Sequence, residues 1–338
     1  LILRFDGAMA DAHVYVNGDL VLRHADGYTP FQLRLTDRFK DGACRVSVRI
    51  DGSENPLIPP FGGRIDYLTY AGIYREAWLE LRAAISVARV KVETPDPLGE
   101  RQSVRARIWL DATVPIEGTA RVELLDPDGA KLAETTAAVD GESLDIAFDG
   151  LQGLRLWSPA FPAMHRLVVR LDTPAGIDSH ETVFGVREAR FTPDGFFLNG
   201  ERIKLMGLNR HQAFPYSGYA QGRASQERDA EILKFELGCN IVRTSHYPQS
   251  PWFLDHCDRI GLMVLEEIPG WQHIGGAEWK DEAVENVRRM IERDWNHPSI
   301  ILWGVRINES PDDHDFYART NTLAHELDST RQTGGIRK

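Results

Sequence analysis

Polar side chains follow four apolar runs in the second half of the chain. These segments are residues 209–211 (Asn-Arg-His), 243–248 (Arg-Thr-Ser-His-Tyr-Pro), 266–267 (Glu-Glu) and 308–309 (Asn-Glu). Carboxylates transfer protons, while imidazole, guanidinium and amide groups hydrogen-bond pairs of hydroxyls. One such segment alone is more often structural than functional, but four that each end an apolar run are difficult to assign to chance. The pattern indicates a binding site for a neutral ligand that carries many hydroxyl groups.

The pair Asn308 and Glu309 carries the chemistry best suited to a sugar. A carboxylate in this setting can act as general acid and base. The amide beside it can hold a sugar 2-hydroxyl, a contact that strengthens in an oxocarbenium-like transition state. Tryptophan rings stack on sugars, and Trp271, Trp279 and Trp303 lie in or near these segments. We expect Trp303 to pack in the core, and the sequence leaves Trp271 open between the two roles.

The elements that position these segments alternate between strand and helix from about residue 190. The predicted strands are residues 203–208, 240–243, 262–265 and 300–303, and the predicted helices are 225–237, 251–258, 278–295 and 316–327. This alternation predicts a parallel sheet whose functional residues lie at the carboxyl ends of the strands. A closed (β/α)₈ TIM barrel takes about 250 residues. We therefore expect residues 189–338 to form the first half of a barrel, with a fifth strand starting near Thr333.

Residues 1–188 are predicted to be entirely β. Short alternating runs recur there, and residues 12–16 and 20–22 flank the dipeptide Asn17-Gly18, which is a strong hairpin signal. Residues 84–188 carry strands at the spacing of an immunoglobulin-like β-sandwich. We place domain boundaries after residues 83 and 188, so that the chain is multidomain.

The composition excludes several classes of protein. The chain has 338 residues and a net charge of −11, which argues against a surface for nucleic acid. No apolar run is long enough for a membrane-spanning helix. Cys44, Cys239 and Cys257 are too few and too scattered for a disulfide framework or a zinc site. The chain opens at Leu1 with no signal segment to interpret. The compartment therefore stays open, and we expect the sequence to begin inside one domain and to end inside another.

Seven longer motifs are spread over nearly the whole chain. They are residues 28–31 (YTPF), 72–75 (GIYR), 156–159 (LWSP), 196–200 (FFLNG), 207–211 (GLNRH), 243–248 (RTSHYP) and 296–300 (NHPSI). In this order they resemble glycoside hydrolase family 2, the family of β-galactosidases, β-glucuronidases and β-mannosidases. The resemblance implies a jelly-roll, sugar-binding-like β-sandwich over residues 1–83 that lacks its start, followed by the immunoglobulin-like domain and the barrel.

The resemblance also implies roles for individual residues. Glu309 becomes the general acid/base, and Asn308 contacts the sugar 2-hydroxyl. His211, Arg243 and His246 line the subsite for the non-reducing sugar. The family works with retention through a covalent glycosyl-enzyme, which needs a second carboxylate about 5–5.5 Å from the first. In the family this nucleophile comes from a later barrel strand, which we expect to lie beyond the end of this chain.

Two departures from the family pattern bear on the site. The family shows Trp-Ser-x-x-Asn-Glu after the fourth strand, whereas residues 303–309 (WGVRINE) are one residue longer, which indicates a bulge or a subfamily. Some galactosidases of the family hold magnesium with a Glu and a His after strand 3. Here Trp271 occupies the Glu position, so we predict no metal site, and His273 is interpreted as a rim or structural residue. No cofactor is predicted.

The leading interpretation is a retaining exo-glycosidase for terminal β-glycosides, with β-galactosides as the first substrate. A β-glucuronidase or β-mannosidase of the same family is the alternative, as is a carbohydrate-binding fragment without turnover, since the chain carries no assigned nucleophile. Arg210, Arg243 and Arg306 are the candidates to bind a glucuronate carboxylate, but their presence does not distinguish a β-glucuronidase from the other members of the family. The expected partner is a glycoside or oligosaccharide substrate, with no nucleic acid or membrane. The oligomeric state stays open, with a homo-oligomer among the options.

Overall fold

The computed structural model describes residues 1–338, and strands dominate the chain before residue 186. The first eight are β1 (Ile2–Phe5), β2 (Ala8–Met9), β3 (Asp11–Val16), β4 (Asp19–His24), β5 (Phe31–Arg34), β6 (Val46–Asp51), β7 (Gly72–Ile73) and β8 (Ala77–Glu80). They pair antiparallel in three small sheets of order β5-β1-β8, β4-β3-β6 and β2-β7. Asn17 and Gly18, between β3 and β4, have φ angles of 54° and 98°. Both angles are positive, as the predicted two-residue Asn-Gly hairpin requires.

Seven longer strands form a sandwich of one three-stranded and one four-stranded sheet. They are β9 (Ile85–Glu93), β10 (Gln102–Ala112), β11 (Gly118–Leu125), β12 (Lys131–Val139), β13 (Ser143–Leu151), β14 (Met164–Thr173) and β15 (Gly176–Gly185). The strand orders are β13-β10-β9 and β12-β11-β14-β15. A core of 20 buried residues lies between the two sheets. Three strands packed on four is the arrangement of a constant-type immunoglobulin domain.

A small antiparallel sheet and a parallel sheet of five strands follow. The antiparallel strands are β16 (Ala189–Thr192), β17 (Gly195–Leu198) and β18 (Glu201–Ile203); the parallel strands are β19 (Gly207–Arg210), β20 (Ile241–Thr244), β21 (Met263–Glu267), β22 (Ile300–Gly304) and β23 (Gln332–Gly334). The parallel strands lie side by side in chain order. The fifth strand expected near Thr333 is therefore present.

Helices connect successive parallel strands. They are α1 (Arg223–Glu231), α2 (Pro251–Ile260), α3 (Ala277–Asp294) and α4 (His314–Leu327), and α1 continues into a π-helical turn over Ile232–Glu236. The sequence signals of α2 are those predicted, with Pro251 in its first turn and Gly261 ending it at φ 76°. Asp313 begins α4 by accepting a hydrogen bond from the N–H of Phe316. None of the four helices combines the length and the apolar character that a membrane span requires.

The beginning of the barrel differs from the prediction. The strand predicted over residues 203–208 is divided, because its first residue ends β18 and β19 begins only at Gly207. The backbone approaches β20 so closely there that a Cβ on Gly207 would lie 1.8 Å from the carbonyl oxygen of Ile241. Helix α1 begins at Arg223 rather than at Ser225, because the glycine before it has the extended backbone of an N-cap. The other barrel elements differ from the predicted bounds by no more than two residues.

Buried residues of the barrel half also form hydrogen bonds with earlier parts of the chain. Trp279 and Trp303 are fully buried in a cluster of 24 residues, which confirms the prediction for Trp303. The indole N–H of Trp279 donates to the carbonyl of Phe61 over 2.9 Å. In the same way, Trp157 donates to the carbonyl of Asp258 over 2.8 Å. Helices α2 and α3 therefore share buried hydrogen bonds with residues before 189.

Candidate active site

The carboxyl ends of the parallel strands bring several predicted site residues together. Arg243 lies near the end of β20, Glu267 ends β21, and Asn308 follows β22. Arg243 Nε and Nη2 donate to the two oxygens of Glu267 over 2.6 and 2.9 Å, and Nη2 also donates to Asn308 Oδ1 over 2.6 Å. Since Oδ1 of Asn308 is occupied by the arginine, its amide N–H₂ is the group free to donate to a ligand.

Two histidines extend this group. His246 Nδ1 lies 3.2 Å from Glu267 Oε2, and the His246 ring stands at 84° to that of His211, with centroids 5.5 Å apart. His211 Nδ1 lies 3.1 Å from the Tyr247 hydroxyl. Partial burial lowers the pKa of His211, and the neighbouring His246 lowers it further. A neutral imidazole carries one donor and one acceptor, which suits a ligand hydroxyl.

Glu309 leaves the end of β22 through an irregular segment. Asn308 forms a single parallel bridge with Trp271, and the N–H of Gln272 donates to the Asn308 carbonyl over 2.7 Å. Glu309 then adopts the left-handed conformation, with φ 51°. Its Oε2 accepts a 2.9 Å hydrogen bond from Gln272 Nε2.

Residues before 84 form one wall of the site. The ring of Tyr67 lies 5.4 Å from that of His211 and 6.0 Å from that of His246. Tyr28 stacks on Tyr247 with centroids 4.6 Å apart and planes 3° apart. The side chains of residues 1–83, the first β module, therefore pack against the two histidines.

Most of these supporting residues were not predicted from the sequence. Arg75, within the GIYR motif, donates to the carbonyls of Tyr28 and Pro248 over 2.5 and 2.9 Å. Tyr67 and Gln272 stand in no motif, and their contacts join residues far apart in the chain. Only the long-range fold brings them to the site, so no local spacing could have indicated them.

Glu266 lies in a separate environment although it precedes Glu267. It is fully buried and accepts hydrogen bonds from Arg293 Nη2 at 3.2 Å and from the Gln249 N–H at 3.3 Å. Burial raises the pKa of Glu266 well above its usual range, and Asp294 raises it further while Arg293 acts against both. Successive side chains of a strand point to opposite faces. Glu266 therefore does not belong to the group around Arg243.

One cluster has the ligand types of a metal site. The carboxylates of Asp255 and Asp258 and the imidazole of His297 have ligand atoms within 4.8 Å of one another. His297 precedes β22 and Asp258 lies near the end of α2, so the cluster is at the opposite end of the sheet from Arg243. Burial alone would lower the pKa of His297, but the Asp258 carboxylate, 2.5 Å away, raises it to about 10. In the structure, His297 and Asp258 thus form an ion pair within this cluster.

Two family models match adjoining parts of the chain. The model described as Glycosyl hydrolases family 2 matches residues 84–187, and the one described as Glycosyl hydrolases family 2, TIM barrel domain, matches residues 190–334. Together the two matches extend from residue 84 almost to the end of the chain.

Curated relatives and solved structures agree with these models. The chain is 47% identical to a beta-galactosidase of Thermoanaerobacterium thermosulfurigenes over all of the chain and 48% of the relative. It is 48% identical to a beta-galactosidase of Rhizobium meliloti over 93% of the chain and 42% of the relative. Beta-glucuronidase 3 of Bacteroides uniformis and the beta-glucuronidase of Parabacteroides merdae match all of the chain with TM-scores of 0.90 and 0.91, at 29% and 27% identity. In both cases 45% of the solved chain is covered. The chain thus spans about half the length of the relatives it matches.

Proposed function

Because the chain belongs to glycoside hydrolase family 2, we propose that it supplies part of the active site of a retaining exo-glycosidase for terminal β-glycosides. The observation that carries the proposal is the arrangement at the strand ends. Arg243, Glu267 and Asn308 form a hydrogen-bonded group, and Glu309 directly follows Asn308 in the chain. A sugar bound there meets donors and acceptors for its hydroxyls and a carboxylate for its glycosidic oxygen.

Glu309 is the proposed general acid/base. It must lose a proton in the first step and regain one in the second. A carboxylate that pairs closely with a guanidinium is held ionised. Glu267 pairs with Arg243 at 2.6 Å, whereas Glu309 makes no salt bridge. Glu266 is fully buried and lies outside the group around Arg243, so Glu309 is the strand-end glutamate at this group without a cationic partner.

The remaining predicted residues bind the sugar. The free amide N–H₂ of Asn308 donates to the 2-hydroxyl in this proposal, and Arg243 holds that amide in place. His211 and His246 face the non-reducing sugar. The nucleophile is a second carboxylate about 5–5.5 Å from Glu309, the separation for retention. We assign it to a part of the barrel outside residues 1–338.

β-Galactosides are the proposed substrates. The two beta-galactosidases named above share 47% and 48% identity with the chain, whereas the two beta-glucuronidases share 29% and 27%. A β-glucuronidase stays the second candidate because those glucuronidases match the fold over the whole chain.

The test is a panel of 4-nitrophenyl β-glycosides on the complete gene product. We expect kcat/KM to be highest on the galactoside, and the first sugar released, followed by NMR, to be the β-anomer. Preference for the glucuronide or the mannoside would assign the alternative specificity. Release of the α-anomer would contradict retention, and no turnover on any substrate would favour a protein that only binds carbohydrate.

A further inference from the structure

Glu309 has one side-chain partner, and we propose that this partner, Gln272, is a positioning residue that orients the acid/base carboxyl in both of its protonation states. The inference rests on the proposed function of Glu309. It is carried by the 2.9 Å hydrogen bond from Gln272 Nε2 to Glu309 Oε2. With Oε2 held in this way, Oε1 is the oxygen left to exchange a proton with the substrate.

The backbone around Gln272 is fixed by the strand end that carries Glu309. The Gln272 N–H donates to the carbonyl of Asn308 over 2.7 Å, and Trp271 forms a parallel bridge with the same residue. Just before them, Gly270 lies against Ile307, and a Cβ on this glycine would meet Ile307 at 2.7 Å. These contacts join the two segments, and the Gln272 amide lies within hydrogen-bond distance of the Glu309 carboxylate.

Both partners have an unusual backbone conformation. Gln272 has φ 58° and Glu309 has φ 51°, in the left-handed region that residues other than glycine seldom adopt. Such conformations concentrate at functional sites. Here the two turns face each other, and they bring the amide and the carboxylate into hydrogen-bond contact.

Gln272 is neutral, which suits the partner of a carboxyl group, that of Glu309, whose charge changes during the reaction. In the first step the proton on Glu309 goes to the leaving oxygen, which keeps the electron pair of the broken C–O bond. In the same step the nucleophile carboxylate bonds to the anomeric carbon. In the second step Glu309 takes a proton from the water whose oxygen bonds to the anomeric carbon, and the nucleophile carboxylate leaves with the electron pair of the glycosyl-enzyme bond. An amide donates N–H to the ionised carboxylate and, with its C=O turned inward, accepts the O–H of the acid. A guanidinium would favour only the ionised form.

The first test exchanges the amide for groups of opposite charge. In the complete gene product we compare Gln272→Glu and Gln272→Lys through the pH profile of kcat/KM on an alkyl β-glycoside. A second carboxylate disfavours ionisation and a cation favours it, so the basic limb should move to higher pH in the first variant and to lower pH in the second. A basic limb that stays in place in both variants would overturn the proposal. A structural defect would lower activity, but it would not move the basic limb in opposite directions in the two variants.

The second test removes the amide without adding charge. Gln272→Met should lower kcat/KM on an alkyl glycoside about 10-fold, part of the ~10²–10⁴-fold that a positioned proton donor provides. On a dinitrophenyl glycoside, which leaves without protonation, kcat/KM should stay within about 3-fold while kcat falls, because the second step still needs the base. Equal losses of kcat/KM on both substrates would contradict the role. The matched control is Gln152→Met, at an exposed position of the immunoglobulin-like domain.

A double variant separates this inference from the function on which it rests. In a Glu309→Gly background, Gln272→Met should no longer lower kcat on the dinitrophenyl glycoside and should leave its rescue by azide unchanged, since the partner is gone. A further loss in that background would overturn the positioning role. If Glu309 were not the acid/base, Glu309→Gly alone would show neither a burst nor azide rescue, which is a different result.

Discussion

Arg243 determines which way the amide of Asn308 faces. Its Nη2 donates to Oδ1 of Asn308 over 2.6 Å while the same guanidinium is clamped by Glu267. The oxygen of the amide is thereby turned to the arginine and the N–H₂ group is left for a ligand. The proposed contact with the 2-hydroxyl therefore depends on a residue that lies in another strand.

Arg243→Lys should weaken this contact. Lysine keeps the charge but cannot reproduce the planar fork that donates to Glu267 and Asn308 together. We expect kcat/KM on an aryl galactoside to fall about 10–100-fold, the range for one hydrogen bond to a charged group of about 1.5–3 kcal/mol. The loss should be smaller on the 2-deoxy-galactoside, which lacks the hydroxyl. Arg107→Lys is the control, because Arg107 forms a similar pair with Asp145 at the surface. Equal losses on both substrates would show that Arg243 acts in some other way.

Much of the barrel half could be predicted because its signals are local. Pro251 and Gly261 mark the two ends of α2, and the polar residues at strand ends share one edge because parallel strands all point the same way. The division between β18 and β19 could not be predicted, since the close approach of Gly207 to Ile241 joins two segments 34 positions apart.

The candidate site was only half visible in the sequence. Arg243, His246, Asn308 and Glu309 stand directly after apolar runs, and this pattern reveals them. Gln272 and the first β module leave no such pattern, because their role consists of contacts across the fold. Charge pairing was equally hidden, and it separates Glu309 from Glu267, which is paired with Arg243.

The ion pair of His297 should make stability depend on pH. Asp258 raises the pKa of His297 to about 10, from an ordinary value of 6.5. Below about pH 6.5 both the folded and the unfolded chains hold the proton, so the stabilisation is complete. Between about 6.5 and 10 only the folded chain holds it, and each pH unit removes up to about 1.4 kcal/mol. The stability advantage over His297→Gln should therefore shrink as the pH rises, as measured by thermal unfolding.

The control for this measurement is the exposed His325→Gln. The difference in thermal stability between His325→Gln and the unaltered protein should stay small and nearly constant with pH. The stability difference between the unaltered protein and His297→Gln should shrink from pH 6.5 to about 9.5. If this difference stays constant or grows, the imidazole is not held protonated by Asp258.

Trp279 should connect the first β module to the barrel. Trp279→Phe keeps an aromatic ring but removes the N–H that donates to the buried Phe61 carbonyl. An unpaired buried acceptor costs about 1–3 kcal/mol, so the unfolding temperature should fall by several degrees. Trp252→Phe is the control, because the indole N–H of Trp252 donates to the Glu76 carboxylate and Trp252 is only partly buried. An equal fall in both variants would argue against a special role for the contact with Phe61.

Residues 1–338 alone should be poorly soluble and inactive. The strands β19 and β23 each pair on one side only, and Leu208 in β19 is 51% exposed. Unpaired strand edges promote aggregation. The proposed nucleophile also lies outside these residues, so glycosides should not be turned over. Sustained turnover by the purified fragment, with host glycosidases excluded, would place the nucleophile inside it.

Glu309→Gly in the complete gene product tests the acid/base assignment itself. The change removes the proton donor of the first step and the base of the second, and it opens a small space beside the anomeric carbon. Cleavage of an alkyl glycoside should fall by ~10²–10⁴-fold or more. A dinitrophenyl glycoside has a good leaving group and should still form the covalent intermediate, giving a burst and then slow turnover. Azide needs no base, so it should restore turnover and yield a β-glycosyl azide. Equal losses on both substrates, with no burst and no rescue, would remove Glu309 from the role and make Glu267 or Glu266 the next candidate, although each is tied to an arginine.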